Sequence, residues 1–309
     1  MPEGDTLFRT AAVLRAVLAG RDVVRARGRP DGVQLERVAG SRVESVEAQG
    51  KHLLIGFSNG LTLHTHLRMH GSWHRYRPWE RWRHGPERAV AVIETPNAVA
   101  VCFDAPTVEL IETRALPLHP VLSTLGPDLL APEPDLARAV ANLKAPGRAA
   151  TPVGEALLDQ SLLAGLGNVY RSEVLFLERV DPFLPLGALA PGVAERLVRT
   201  GARLIRANRL SAERVTTSDA LGGGPGSGLA RSAGEARLHV YGRPGRPCPR
   251  CATRIRTRVF GTLPRRVFWC PACQAPGAGS AAGSATGGGS GRDPEEAAHE
   301  GDDPRVPGA

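Results

Sequence analysis

The sequence predicts an α+β multidomain chain in four parts: an N-terminal β-sandwich with a leading helix, a helical domain, a C-terminal four-cysteine zinc-finger β-hairpin and a disordered tail. Three observations carry this prediction. Short β-branched runs separated by Gly, Asn and Pro turns fill residues 22–112, the pattern of an antiparallel sandwich or barrel. Beyond Pro127 the apolar residues recur at helical spacing instead. Two Cys-x-x-Cys pairs then precede a final stretch with almost nothing to bury.

Taken in order, residues 5–19 read as a helix. Asp5 or Thr6 serves as cap, Leu7, Ala11, Leu14 and Leu18 form one apolar stripe, and Gly20 ends it. The strand-like runs follow: DVVRARGR, SRVESVEAQ, HLLIGF, LTLHTHL, AVAVIE, AVAVCF and VELIE, with turns such as SNG and TPN between them. Helical spacing then marks DLARAVANLK, VGEALLDQSLL, NVYRSEVLFLER and AERLVRTGARLIRANR. A glycine-rich loop, LGGGPGSG, leads to the cysteine module. The boundaries drawn are 1–122 for the sandwich, 123–235 for the helical domain, 236–274 for the finger and 275–309 for the tail.

The 309 residues fit two domains with a small appended module, at roughly 100–200 residues per domain. No run approaches the roughly 18–20 apolar residues that span a bilayer, and MPEGDTLFRT lacks the basic flank and apolar core of a secretion signal. A soluble cytoplasmic protein, not a membrane protein, is therefore expected. Net charge is +8, and residues 274–309 hold two arginines against six acids, a net of −4, so residues 1–273 carry +12. A body that basic suits a polyanion such as nucleic acid, although an arginine-rich solubilising surface would look the same. Only Lys51 and Lys144 are lysines, beside 37 arginines. A retained lysine hints at a need for a compact ammonium on a flexible stem.

Cys248, Cys251, Cys270 and Cys273 form two Cys-x-x-Cys pairs with 18 residues between them. That spacing matches one structural, tetrahedral four-thiolate zinc site; a disulfide pair or a redox dithiol is the competing reading. Cys102 lies in an apolar run and reads as core. Between the pairs, five arginines interleave with Phe260, Phe268 and Trp269 on a hairpin suited to a phosphate backbone. In GEALLDQSLLAGLGNVYRSEVLF two helices flank Ala164–Asn168, which places backbone amides and Asn168 at a helix N-terminus, a ready anion site. Removal of Met1 would leave Pro2 with a secondary α-amine, far less basic than lysine and suited to attack a sugar C1′. Glu3 beside it could move protons. His64, His66, His70 and His74 could resemble a second metal site, but no carboxylate stands at ligand spacing in sequence, and packing and DNA contact are preferred.

MPEGDT, GKHLL at 50–54, HLRMHGSW at 66–73, DQSLLAGLGNVYRSEVLF and CPRC…FWCPACQ occur together and in order over about residues 1–274. In this the chain resembles the formamidopyrimidine-DNA glycosylase/endonuclease VIII family, and its Pro-Glu-Gly opening is similar to the actinobacterial endonuclease VIII branch. The resemblance implies a helix–two-turn–helix DNA-binding domain and a monomeric base-excision-repair enzyme acting on damaged double-stranded DNA, or on single-stranded or bubble DNA. It implies Pro2 as Schiff-base nucleophile, Glu3 as acid/base and Lys51 as the lesion-phosphate lysine that assists catalysis. Asn168 and Arg265 would grip phosphates, with Arg266 the substitute if the register slips by one. Met69 would fill the gap left by the extruded base, with Arg68 and His70 beside it.

Two departures point to oxidised pyrimidines. Asp104-Ala-Pro-Thr-Val-Glu lacks the Arg-Phe cluster of the guanine-repair branch, and Leu221–Gly228 is short where that branch closes a loop over 8-oxoguanine. The expected function is a bifunctional DNA glycosylase/AP lyase working by β,δ-elimination in the bacterial cytoplasm on nucleoid DNA. Rivals are a non-catalytic zinc-ribbon DNA-binding protein, a purine-lesion glycosylase of the sister branch and a degenerate paralogue that binds without cutting.

Overall fold

The computed structural model describes residues 2–29, 32–217, 237–262 and 264–275; the glycine-rich Leu221–Gly228 loop and the acidic tail beyond residue 275 lie outside the described residues. The leading helix α1 spans Gly4–Leu18 and buries Leu7, Ala11, Leu14 and Leu18, the stripe read from the sequence. Its cap is Glu3, not Asp5 or Thr6. The Glu3 carbonyl accepts from Thr6 N and Leu7 N, and Glu3 N–H donates to Thr6 Oγ1 at 3.4 Å. Asp5 is drawn elsewhere, as described below.

Eight strands follow, one more than the seven expected. β1 (Arg25–Gly28), β5 (Ser72–Tyr76), β6 (Ala89–Thr95) and β7 (Ala98–Phe103) form one antiparallel sheet in the order β1-β6-β7-β5. β2 (Val43–Gln49), β3 (His52–Phe57), β4 (Leu61–His66) and β8 (Thr107–Glu112) form the other, in that order. The missed strand is β5. Its residues are polar or half-buried except for Tyr76, so it carries little apolar alternation and is defined by pairing with β7 at Trp73–Cys102 and Tyr76–Val99.

The two sheets and α1 share one core, with Val46, Leu53, Ile55 and Leu63 from one sheet and Ile93, Ala100 and Cys102 from the other. Cys102 is fully buried, which pushes its thiol pKa up and leaves it an inert core residue. The continuous apolar runs of β6 and β7 are explained by burial on both faces. Their second face, Val92, Val99, Val101 and Phe103, is covered by Tyr76 and Trp82.

The helical part contains α2 (Leu136–Leu143), α3 (Val153–Ala156), α4 (Asn168–Leu177) and α5 (Val193–Asn208). Asp135 caps α2, accepting from Arg138 N at 2.8 Å. VGEALLDQSLL was expected as a full helix, yet only the single turn α3 forms. Asp159 accepts from Ser161 N and Ser161 Oγ, a local side-chain alternative to continued helix. A second core joins Leu157, Leu163, Leu166, Tyr170, Val174, Leu197, Leu204 and Ile205. The hairpin β9 (Arg256–Phe260) and β10 (Arg265–Trp269) packs through Ile255, Phe268 and Cys270 onto Phe176 of α4. Among the described residues no helix is long and apolar enough to cross a membrane.

Candidate active site

Residues 3, 4 and 5 are each tied to the helical part. Glu3 is completely buried, and its two carboxylate oxygens accept from Val169 N and Gly167 N, both at 2.9 Å. Gly4 N donates to Gly165 O at 2.9 Å. Asp5 accepts from Tyr170 Oη at 3.0 Å and from a two-pronged Arg214 guanidinium at 2.6 and 2.7 Å. The turn Gly165-Leu166-Gly167 is glycine-rich for a steric reason. A Cβ on Gly167 would fall inside the Glu3 carboxyl group, and Gly165 holds φ +106°. The helix N-terminus read from the sequence as an anion site thus holds an anion already, the chain's own Glu3 carboxylate.

This docking leaves Pro2 half-buried at the wall of a cleft of about 800 Å³, lined also by Leu67, Gly71, Trp73, Arg214 and Tyr241. Lys51 stands in the tight turn between β2 and β3. Burial lowers its pKa to about 8, with Glu3 opposing that fall and Arg214, Arg265 and Arg171 adding to it. The turn is clamped from across the molecule by Asp128, which accepts Gly50 N at 2.8 Å and Leu130 N at 2.9 Å.

Asn168 opens α4 and is buried. Its Nδ2 donates to Arg266 O at 2.8 Å, and its Oδ1 accepts from Arg171. The amide orientation is therefore set on both sides, by the four-cysteine hairpin and by a buried arginine. Arg171 is 1% exposed, lies 5.4 Å from the Phe260 ring centroid, and donates to Gly154 O at 3.3 Å, while its Nε has no partner. Arg265 and Arg266 are exposed at the start of β10. Arg68, Met69 and His70 sit together, exposed, on the loop between β4 and β5, whose ends Leu67 and Gly71 line the Pro2 cleft. Asp104 pairs with Arg88 in the stretch that was read as lacking an Arg-Phe cluster.

The four cysteine sulfurs lie within 4.8 Å of one another, with Cys248–Cys273 at 3.8 Å and Cys251–Cys270 and Cys251–Cys273 at 3.4 Å. Zn–S bonds of about 2.3 Å in a tetrahedron require sulfur separations of about 3.8 Å, so the donor set fits one zinc. Disulfide bonding is not formed between these residues. The finger is moored to α4 by Glu173, a fully buried carboxylate that accepts from Val240 N and Tyr241 N at 2.9 Å and from His239 N at 2.8 Å.

The histidine expectation needs one correction. A carboxylate does reach the cluster: Glu109, opposite His64 across β4 and β8, contacts His64 Nδ1 at 2.7 Å and His119 Nε2 at 3.1 Å. Its distance in sequence hid it. The tautomers nevertheless oppose a metal. His119 Nδ1 accepts two backbone N–H groups, from Val121 and Leu122, which holds the proton on Nε2 as a donor to Glu109. His52 Nδ1 and His64 Nε2 are hydrogen-bonded at 2.8 Å, and burial lowers the His52 pKa to about 3 and that of His66 to about 4. His74 bonds to Ser72 Oγ instead.

Asp128, Arg171, Arg214 and Glu173 were not singled out from the sequence, and Asp5 was read only as a helix cap. Arg214 lies 209 positions from Asp5, and Glu173 lies 66 from His239, so no local pattern marks those pairs. The Tyr and Glu of the quoted GNVYRSE segment were the available signal.

The sandwich with its buried N-terminal helix cap, the Gly-x-Gly-Asn helix start and the four-cysteine hairpin are joined in one body around the Pro2 cleft. Comparison with known proteins gives the family. The formamidopyrimidine-DNA glycosylase N-terminal domain matches residues 1–106, and the formamidopyrimidine-DNA glycosylase H2TH domain matches residues 125–217. The chain is 42% identical over 279 residues to the probable endonuclease 8 2 of Streptomyces coelicolor, covering 89% of this chain and 94% of that one. It is 39% identical to endonuclease 8 2 of Mycobacterium tuberculosis, covering 89% and 100%. It is 37% identical to the DNA-(apurinic or apyrimidinic site) lyase Nei2 of Mycolicibacterium smegmatis, covering 89% and 99%. Lactococcus lactis Fpg bound to abasic-site DNA has the same fold, with a TM-score of 0.72 at 24% identity, covering 89% and 100%. The chain belongs to the formamidopyrimidine-DNA glycosylase/endonuclease 8 family.

Gly167→Ala tests the docking. The added methyl must expel the Glu3 carboxylate and break two amide bonds to a charged group, each worth roughly 1.5–3 kcal/mol. Nicking of an abasic-site duplex is expected to fall by about tenfold or more, with the zinc content unchanged; retention of full nicking would mean that Glu3 needs no seat on α4.

Proposed function

We propose that the chain is a bifunctional DNA glycosylase/AP lyase that removes oxidised bases, preferentially pyrimidines, from DNA. The observation that carries this reading is Pro2, held at the wall of the cleft by the three residues that follow it, with the buried Glu3 carboxylate next to it in the chain and the depressed Lys51 ammonium within the reach of Glu3's charge. After removal of Met1, the Pro2 amine attacks C1′ while the glycosidic bond breaks and the base leaves with a proton. Glu3 then protonates O4′ as the C1′–O4′ bond opens, leaving an iminium that draws electrons from C2′. Loss of a C2′ proton then expels the 3′ phosphate, and a second elimination expels the 5′ phosphate. Glu3 moves the protons of ring opening and elimination.

Lys51, Asn168 and Arg265 hold phosphates around the extruded nucleotide, and Met69, with Arg68 and His70, occupies the space it vacates. A single structural zinc on Cys248, Cys251, Cys270 and Cys273 stiffens the hairpin; four thiolates leave it no open position for substrate. The protein works as a monomer on damaged duplex DNA in the bacterial cytoplasm. The pyrimidine preference is supported by the endonuclease 8 relatives and by the Asp104 stretch, where a salt bridge with Arg88 stands in place of an Arg-Phe wedge.

Untagged protein incubated with oligonucleotides carrying thymine glycol, 5-hydroxyuracil, 8-oxoguanine or an abasic site, then treated with borohydride, is expected to form a covalent adduct. The adduct should map to residue 2 and vanish in Pro2→Gly. An adduct on 8-oxoguanine alone would move the enzyme to the purine branch, and none on any substrate, with Met1 absent by mass, would sink the catalytic reading.

Lys51 supplies a pH test. Its pKa of about 8 lies below that of an ordinary lysine, and a bound phosphate favours the charged form and raises it again. Binding of an uncleavable abasic analogue is therefore expected to take up a proton between about pH 7.5 and 9.5. Calorimetry in buffers of different ionisation heat should detect that uptake in the wild type and lose it in Lys51→Arg, whose guanidinium stays protonated throughout.

Metal analysis is expected to return one zinc per chain. Cys270→Ser should lower that content and weaken DNA binding while Pro2 remains reactive towards a small aldehyde with borohydride; full DNA affinity without zinc would detach the finger from the site.

A further inference from the structure

The connection between β5 and β6, residues 77–88, takes no part in the chemistry above, and it treats its two tryptophans in opposite ways. Trp82 packs on Tyr76 and Phe103 with ring centroids 6.1 and 5.9 Å apart, and the Arg27 guanidinium lies 5.4 Å from its centroid. Tyr76 Oη accepts Arg83 N at 3.1 Å. Together these fasten the base of the loop to the sheet. Trp79, three residues earlier, is 98% exposed and sits at φ +60°. It occupies a turn closed by Glu80 N to Arg77 O at 3.2 Å and Arg77 N to Glu80 Oε2 at 2.8 Å.

Neither preference nor burial explains this placement. A left-handed backbone is an outlier for a bulky residue, and tryptophan is on average a highly buried one. Such a conformation persists where the surroundings over-determine it, and here the Trp82 anchor and the closed turn do so. The result is an indole presented to solvent from a closed turn.

Cations outnumber the one adjacent acid, Glu80, whose carboxylate is engaged by Arg77 N. Arg75, Arg77, Arg81 and Arg83 are all exposed. Among the described residues the ion pair in this region goes to Arg88, through Asp104, and none of these four takes part in one. A groove of about 710 Å³ beneath the indole is lined by Val17, Arg75, Tyr76, Pro78 and Asn97. Arg75 also lines the Pro2 cleft, so the two surfaces are continuous.

We propose that Trp79 and these arginines form a second nucleic-acid contact, where an unpaired base of a single-stranded DNA segment stacks on the indole and its phosphates meet Arg77, Arg81 and Arg83. The proposal rests on the DNA-repair reading and extends it to DNA outside the lesion. An exposed aromatic face beside mobile guanidiniums is the chemistry of sequence-tolerant single-strand binding. An intact duplex buries its base faces and offers none to stack on. The five-residue strand β5 separates the contact from the loop that carries Met69.

The test uses the full chain and an uncleavable abasic-analogue duplex, either blunt or extended by a ten-thymidine single strand on one side or the other, with binding read by fluorescence anisotropy. Wild type is expected to bind one of the flanked duplexes roughly five- to tenfold more tightly than the blunt one. Trp79→Ala should erase that gain and leave blunt-duplex binding and nicking unchanged, Trp79→Phe should keep most of it, and Arg81→Glu should reduce it. No gain from either flank, or a gain that survives in Trp79→Ala, would overturn the proposal; in the second case the face is left to a protein partner. Nicking of the blunt duplex by wild type reports separately on the lyase, so a flank effect without nicking would sink the catalytic reading and spare this one. Thermal melting of Trp79→Ala, expected to match wild type for so exposed a side chain, controls for folding.

Discussion

The structure depends on a hydrogen-bonded suture between the first residues of the chain and the start of α4. A free N-terminus is normally among the most mobile parts of a domain. Here Glu3, Gly4 and Asp5 are tied in succession to Gly167 and Val169, to Gly165, and to Tyr170 and Arg214. The two hydrophobic cores are built from different stretches of sequence, and this suture, with the Asp128 clamp on Gly50, sets how they meet. The cleft exists because they meet there. A terminal amine becomes a placed group only when its neighbours have nowhere else to go.

The same suture organises the charges. Glu3 and Asp5 are buried carboxylates whose partners are backbone amides, a phenol and a guanidinium, so neither is left unpaired. Lys51 feels the cationic charge of Arg171, Arg214 and Arg265 as well as the Glu3 carboxylate, a local excess of cation. Of these, lysine is the side chain whose charge the protein can move into the neutral range by burial, since a guanidinium stays protonated. That gives a physical reason for a lysine at position 51 in a chain that otherwise uses arginine. Arg171 plays a quieter part: it fixes the Asn168 amide from below while Arg266 fixes it from the hairpin side. The four-cysteine hairpin thereby reaches Asn168 through its main chain.

The elements themselves were largely legible. The stripe Leu7, Ala11, Leu14 and Leu18 placed α1, continuous apolar runs placed β6 and β7, and the spacing of four cysteines placed the finger. Local periodicity determines such features because each residue's environment repeats with the element's own geometry. It failed for β5, where one sheet edge is half-solvated, and for the segment after α3, where Asp159 offered the backbone another partner. Pro2, Glu3, Lys51 and Asn168 were legible as a constellation through resemblance, since a Met-Pro-Glu start or a Gly-x-Gly-Asn turn alone is common.

What the sequence by itself determined is therefore the inventory: the strands, helices, cysteine ligands and basic surplus, all of which follow from spacing and composition. Only the tertiary structure decided the partnerships. It seated Glu3 on the amides of α4, joined Asp5 to Arg214, set Glu109 against His64 and His119, and turned Trp79 outward while folding Trp82 in. Those choices join residues from ten to more than two hundred positions apart, and their energy comes from burial and from satisfying polar groups that meet only once the chain is folded.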